Sequence, residues 1–151
     1  MALKQGSVSF HGVTPVLRVS DLDASLAYYT RSLGFGVDWR DDDGNSFASV
    51  SRGRCHLFLS VGDQGNPGSW MWIGVSDVDA LHDELLAKGA RIRHPPANYP
   101  WGSRELQLED PDGNVLRFGS ENKLGEPFGD WLDMRGVRWR REPGRGWTRF
   151  E

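Results

Sequence analysis

Along the first 120 residues the apolar positions change period in a fixed order, and the order occurs twice. PVLRV (15–19) and WMWIGV (70–75) are short runs rich in β-branched and aromatic residues, the composition of strands. After each run the period becomes helical. Leu22, Leu26, Tyr29 and Leu33 recur at spacings of four, three and four, and Val78, Leu81 and Leu85 at three and four, so each segment presents one apolar stripe. Past Gly34 and Gly89 the chain reads as strands again: FGVDWRDD, SFASVS and CHLFLSV in the first half, ARIRH, RELQLED and NVLRFGS in the second. The breaks between them are DGN (43–45), RG (52–53), PPANYPWG and DPDGN.

The two strand-to-helix junctions carry nearly the same phrase, VSDLDA (19–24) and VSDVDA (75–80), at an offset of 56 residues. Ser20 or Asp21, and Ser76 or Asp77, accept hydrogen bonds from the unpaired N–H groups of the first turn. Asp23 and Asp79 add negative charge at the positive end of each helix dipole. The repeat therefore predicts two βαβββ modules, residues 12–61 and 70–120, joined by the turn-rich linker GDQGNPGS (62–69). Either module alone would leave one face of a small sheet bare. The expected fold is α+β, with curved mixed sheets around a cleft, helices outside, and a hairpin-like extension over 121–151.

Composition narrows the class. A chain of 151 residues with 38% hydrophobic and 26% charged side chains is ordinary for a globular domain, and no apolar run approaches the roughly 18 residues of a membrane span. The opening MALKQGSVSF lacks the apolar stretch of a secretory leader. One cysteine, Cys55, allows no internal disulfide, and cytoplasmic localisation is expected. A net charge of −3 argues against a general nucleic-acid binder.

VTPVLRVSDLDASLAYYTRSLGF, WMWIGVSDVDALHDELLAKGA and PWGSRELQLEDPDGNVLRF resemble the vicinal oxygen chelate superfamily, and within it the bleomycin resistance protein branch; the resemblance covers residues 12–120. It implies paired βαβββ modules, in many members a metal held on the strands of the concavity, and for the resistance branch a homodimer whose clefts sequester a drug without chemistry. Enzymes of the superfamily place histidine, histidine and glutamate at positions that fall on Thr14, Trp70 and Arg117 here. Those residues offer one weak oxygen and a cation, so no metal and no cofactor is expected.

The remaining chemistry is sparse. His11, His82 and His94 read as surface or edge residues. Alternation places His56 with Phe58 and Ser60 on one strand face, opposite Cys55, Leu57 and Leu59, but no sequence neighbour supplies an orienting carboxylate. Cys55 lacks a base that would make it a nucleophile.

Aromatic residues stand where ligands would be. Trp70 and Trp72 share a strand face directed into the concavity; Trp39 follows Gly34–Phe35–Gly36, and Tyr99 and Trp101 lie in the loop before the penultimate strand. With His56, Phe58 and Arg117 these form the expected ligand-binding set, suited to a planar aromatic whose cationic tail gains from Asp41, Asp42 and Asp43. Trp101, as a loop residue, is expected to be removable at little cost to stability.

The extension holds three of the seven tryptophans, Trp131, Trp139 and Trp147, among six arginines. VRWRRE and GWTRFE predict a hairpin around PGRG. Because residues 1–120 carry 11 basic and 15 acidic side chains, docking of this basic segment on its own body is preferred to contact with an anion or nucleic acid. The functional expectation is a metal-independent, non-enzymatic binder of a small planar aromatic, bleomycin-like ligand or antibiotic, with neither nucleic-acid nor membrane partners. The alternative is a lyase or dioxygenase of the superfamily with non-standard metal ligands.

Overall fold

A computed structural model describes residues 7–150. Residues 1–6, part of the stretch on which the absence of a leader was read, and Glu151 lie outside the described residues. Module one contains β1 (Val16–Arg18), α1 (Leu22–Ala27), β2 (Gly36–Arg40), β3 (Phe47–Arg52) and β4 (Cys55–Ser60); its sheet order is β1-β4-β3-β2. Module two contains β5 (Trp70–Gly74), α2 (Val78–Ala87), β6 (Arg91–Asn98), β7 (Ser103–Glu109) and β8 (Val115–Glu121), ordered β5-β8-β7-β6. In each, the first strand pairs parallel with the last and the other pairs are antiparallel. The repeated phrase is thus one topology used twice.

The capping alternatives resolve to the aspartates. Asp21 accepts from the Ala24 amide and Asp77 from the Ala80 amide, each at 3.0 Å. The apolar stripe of helix one is buried at Leu22, Leu26, Tyr29 and Leu33, and burying such a side chain contributes about 1.5–3 kcal/mol. Beyond Ala27 that helix widens into a π turn over Tyr28–Ser32, with the Leu33 amide donating to the Tyr28 carbonyl. The π turn presents both tyrosines to module two. The Tyr28 hydroxyl donates to the Glu109 carbonyl at 2.7 Å, and that of Tyr29 to Asp110 at 2.9 Å.

Asp110 also accepts from the Asp112 and Asn114 amides, while Asn114 donates to the Arg18 carbonyl of module one. The DPDGN stretch is therefore a turn that locks the modules together. One apolar core, including Leu17, Val50, Leu57, Val78, Leu85, Leu108 and Leu116, runs continuously through both.

Three expectations change. PPAN does not break the chain: β6 continues through it to Asn98, with register shifts between Ile92 and His94 and between His94 and Ala97. It is the edge strand, where missing proline N–H groups leave no ladder bond unmade. His94, read as a surface or edge residue, does lie on the edge strand but is buried, its Nδ1 2.7 Å from the Pro95 carbonyl. The C-terminal segment exceeds a hairpin, because β9 (Trp131–Leu132) pairs with β10 (Arg138–Glu142), which pairs with β11 (Gly146–Phe150). This third sheet docks on module two. Module two donates, and the docked segment supplies carbonyls and rings.

Candidate functional site

The helices cover one face of each main sheet, and the expected site residues belong to the opposite faces. On module one, Trp39 stacks on Phe47 (5.6 Å between centroids, 15° between planes) and tilts onto Phe58 at 5.5 Å. Trp39 remains 46% exposed, so the cluster is a surface platform rather than a plug of core. His56 stands on this face, its Nδ1 3.7 Å from Asp38. Asp38 in turn accepts from Ser49 at 2.9 Å and Ser51 at 2.7 Å, contacts that hold its carboxyl below the usual carboxylate range. A carboxylate that the sequence did not reveal therefore stands near the imidazole, beyond hydrogen-bond distance. A register shift between Val37 and Trp39 delivers it, because a bulge lets neighbouring residues reach the same face. The DDD run closes a turn, with Asp43 accepting from the Asn45 amide and Asp41 from Ser46.

On module two, Trp70, Tyr99, Trp101 and Arg117 converge around Trp131 of the C-terminal sheet. The Trp131 ring lies 6.1 Å from that of Trp70, edge-on to Tyr99 at 5.8 Å and edge-on to Trp101 at 5.5 Å; the Arg117 guanidinium is 5.1 Å above it. Tyr99 and Trp101 are themselves stacked, 4.8 Å apart and 1° from parallel. Beneath them Glu105 is buried and fully engaged. Arg117 donates from Nε to one carboxylate oxygen at 2.9 Å, and the Trp101 indole donates to the other at 2.7 Å. Tyr99, whose phenol pKa is pushed up chiefly by burial, donates to the Asp130 carbonyl at 2.8 Å.

Trp72 shares the Trp70 face but turns away from the cage. Its ring lies over Gly74 and Gly119, where a Cβ on Gly119 would sit 2.7 Å from the indole nitrogen, so only glycine admits it. Half-exposed at 53%, it lines a groove of about 930 Å³ between the modules, shared with His56, Leu57, Met71, Phe118 and Glu84. Arg52 clamps that groove by a bidentate pair to Glu84 at 2.7 and 2.9 Å. Cys55 also lines it, but burial pushes its thiol pKa up, which disfavours the nucleophilic thiolate.

Residues 10–118 match the Glyoxalase/Bleomycin resistance protein/Dioxygenase superfamily, about seven-tenths of the chain. The chain belongs to this superfamily. It is 30% identical over 115 residues to the bleomycin resistance protein of Klebsiella pneumoniae, covering 70% of this chain and 88% of that one. The crystal structure of the bleomycin-binding protein from bleomycin-producing Streptomyces verticillus, complexed with copper(II)-bleomycin, superposes with a TM-score of 0.65 at 31% identity; the match covers 76% of this chain and 99% of the other. A third relative, 3-methylcatechol 2,3-dioxygenase of Pseudomonas putida, is 28% identical over 143 residues, 75% of this chain and 48% of that one. The chain thus spans about half the length of the dioxygenase it matches.

Many members of the superfamily hold a metal, and the donor set here does not fit one. The positions that the sequence resemblance assigns to ligands carry Thr14, Trp70 and Arg117; Trp70 packs on Trp131, and Arg117 is an ion-paired cation. Glu105, the carboxylate on the same face, already has both oxygens occupied by Arg117 and Trp101. Among the described residues no three His, Cys, Asp or Glu side chains cluster at metal-binding distance. Also among them, no helix is long and apolar enough to cross a membrane.

Asp38, Phe47, Glu105 and Trp131 are the site residues that sequence reasoning missed. Phe47 had a signal, since alternation from Phe58 through the RG turn places the two on one face. The others depend on a bulge or on a packing partner distant in sequence.

Proposed function

We propose that the protein binds a small planar aromatic compound, of the chemical kind that its bleomycin-binding relatives take, and carries out no chemistry on it. The observation that carries this reading is the groove of about 930 Å³ between the modules, of a size and apolar character suited to a drug-sized ligand. Met71, Leu57 and Phe118 give it apolar walls and Trp72 an exposed ring for stacking. His56 also lines it. Trp70, Tyr99, Trp101 and Arg117 contribute to a ligand site only where Trp131 leaves them room.

A homodimer is the assembly we propose. β1 and β5 are each paired on one side only among the described residues, and Phe10 (96% exposed), Val8 and Val13 form an uncovered apolar strip nearby in sequence. Light scattering at micromolar concentration is expected to give twice the chain mass.

Tryptophan-fluorescence titration with metal-free and copper-loaded bleomycin tests the binding role. Saturable quenching that survives exhaustive chelation of the protein is expected. Binding that disappears with chelation and returns with one transition metal per chain would instead favour a metal-dependent lyase or dioxygenase.

A further inference from the structure

The segment Asp130–Asp133 contacts module two as a ligand contacts a receptor. One ring, Trp131, enters a cage of Trp70, Tyr99, Trp101 and Arg117, and three backbone carbonyls accept from module-two side chains. Tyr99 donates to Asp130 at 2.8 Å, Gln107 to Leu132 at 3.0 Å, and Arg93 to Asp133 at 2.8 Å. Arg93 also lies 5.2 Å over the Trp70 ring, so it serves both the wall of the cage and the occupant's backbone.

The face beneath is built to stand without this occupant. Glu105 is satisfied by Arg117 and Trp101, and Gln107 accepts from Arg93, so removing the segment strands no buried charge. The occupant, in contrast, brings little core of its own. Of the C-terminal sheet only Leu132 is a buried hydrophobic residue, and β9 pairs with β10 through just two residues. A three-stranded sheet this small draws its stability from its seat.

Up to Gly129 the chain is held at Asn98 of β6. Asn98 donates to the Lys123 and Glu126 carbonyls, and the Gly129 amide donates to Asn98. Beyond that point the sheet rests on the Trp131 ring, three carbonyls and Trp147, which tilts onto Trp101 at 6.2 Å. It also lies outside the superfamily match, which ends at residue 118.

We propose that this cage is a binding site for planar aromatic compounds flanked by amide carbonyl groups, and that Asp130–Asp133 is its intramolecular occupant. An outside compound of that class reaches the cage only as far as the C-terminal sheet swings away from Gly129. Because the tether holds the occupant at a high effective concentration, the wild-type protein binds such a compound weakly. The site is separate from the groove between the modules, so either can fail without the other.

The test uses N-acetyltryptophanamide, an indole between two amide carbonyls, titrated by calorimetry into the full-length wild type and the full-length Trp131→Ala variant. The variant is expected to bind one equivalent at least tenfold more tightly than the wild type, and a further Gln107→Ala change to weaken that binding at least tenfold. Arg140→Ala leaves Trp131 and the cage intact but removes its pair to Asp130 at 3.0 and 3.1 Å, loosening the sheet. It is expected to give an intermediate affinity together with faster proteolysis after Gly129. Equal affinity in the wild type, Trp131→Ala and Arg140→Ala would overturn the proposal. So would a Trp131→Ala chain that loses its near-ultraviolet circular dichroism altogether, because a site's occupant can be removed without unfolding the site.

Discussion

The two main sheets share strand order, parallel pairing and a capped helix on one face, yet their opposite faces are treated differently. Module one leaves Trp39, Phe47, Phe58 and the His56–Asp38 pair partly exposed to solvent. Module two lays a comparable set of rings over a buried carboxylate and covers it with Trp131. Topology therefore does not decide which face is available for binding. The polar residue set beneath the rings does: serines and a surface aspartate in one module, a buried Glu105–Arg117 pair in the other.

That difference has its largest expected consequence at Arg117. Removing one partner of a buried ion pair costs about 3–5 kcal/mol, because the remaining charge stays desolvated. Arg117→Ala leaves Glu105 in that position and also takes the cation from above Trp131. Urea unfolding is expected to register a loss of that size. The corresponding change on module one, His56→Ala, is expected to cost less than about 1 kcal/mol, since both partners are reached by solvent. A mild Arg117→Ala variant would show that the covered face is wetter than its geometry implies.

Tryptophans sharpen the contrast at the next scale. Trp101 stacks on Tyr99, meets Trp131 edge-on and donates to Glu105, so its alanine variant is expected to lose about 2–3 kcal/mol of stability despite its loop position and 49% exposure. This replaces the sequence expectation of a small cost. Trp39→Ala is expected to lose about 1 kcal/mol of stability but to weaken a stacked aromatic ligand by about 1–3 kcal/mol. Unfolding and bleomycin titration on the same two variants separate structural from recognition tryptophans. Reversed outcomes would exchange the roles of the two faces.

The fold was legible because its determinants are local. The VSDLDA and VSDVDA phrases contain their own caps, Asp21 and Asp77, and the spacing of Leu22, Leu26, Tyr29 and Leu33 needs no distant partner to be read. The candidate site was legible only in its residue types. Alternation placed Trp70 with Trp72, the loop before the penultimate strand supplied Tyr99 and Trp101, and the family resemblance pointed to Arg117, but the ring that Trp70, Tyr99, Trp101 and Arg117 surround lies 30 residues after Trp101, and its seat depends on how residues 122–129 run along β6. Asp38 escaped for another reason. Simple alternation places it opposite Trp39, and only the bulge in β2 brings both to the open face.

The smallest expected effect is a pH dependence confined to the covered module. His94 is buried on β6, and desolvation, with a smaller contribution from Arg138, holds its imidazole below the ordinary pKa, while Pro95 and Asp130 oppose the shift. Between that lowered value and about 6.5 the unfolded chain binds a proton that the folded chain does not. Stability is then full above about 6.5 and declines as pH falls through that window. The lowered carboxylates nearby do not imitate this, because Asp130 and Asp133, held down by Arg140 and by Trp139, lose their contribution only near and below the ordinary carboxylate pKa of about 3.9. Urea midpoints at pH 7.5 and 5.5 are therefore expected to differ more in the wild type than in His94→Gln. If protonation acts through the docked sheet, proteolysis after Gly129 should accelerate over the same interval in the wild type and not in the variant. Equal slopes in both proteins would mean that His94 reaches solvent and that the C-terminal sheet does not seal the edge of module two.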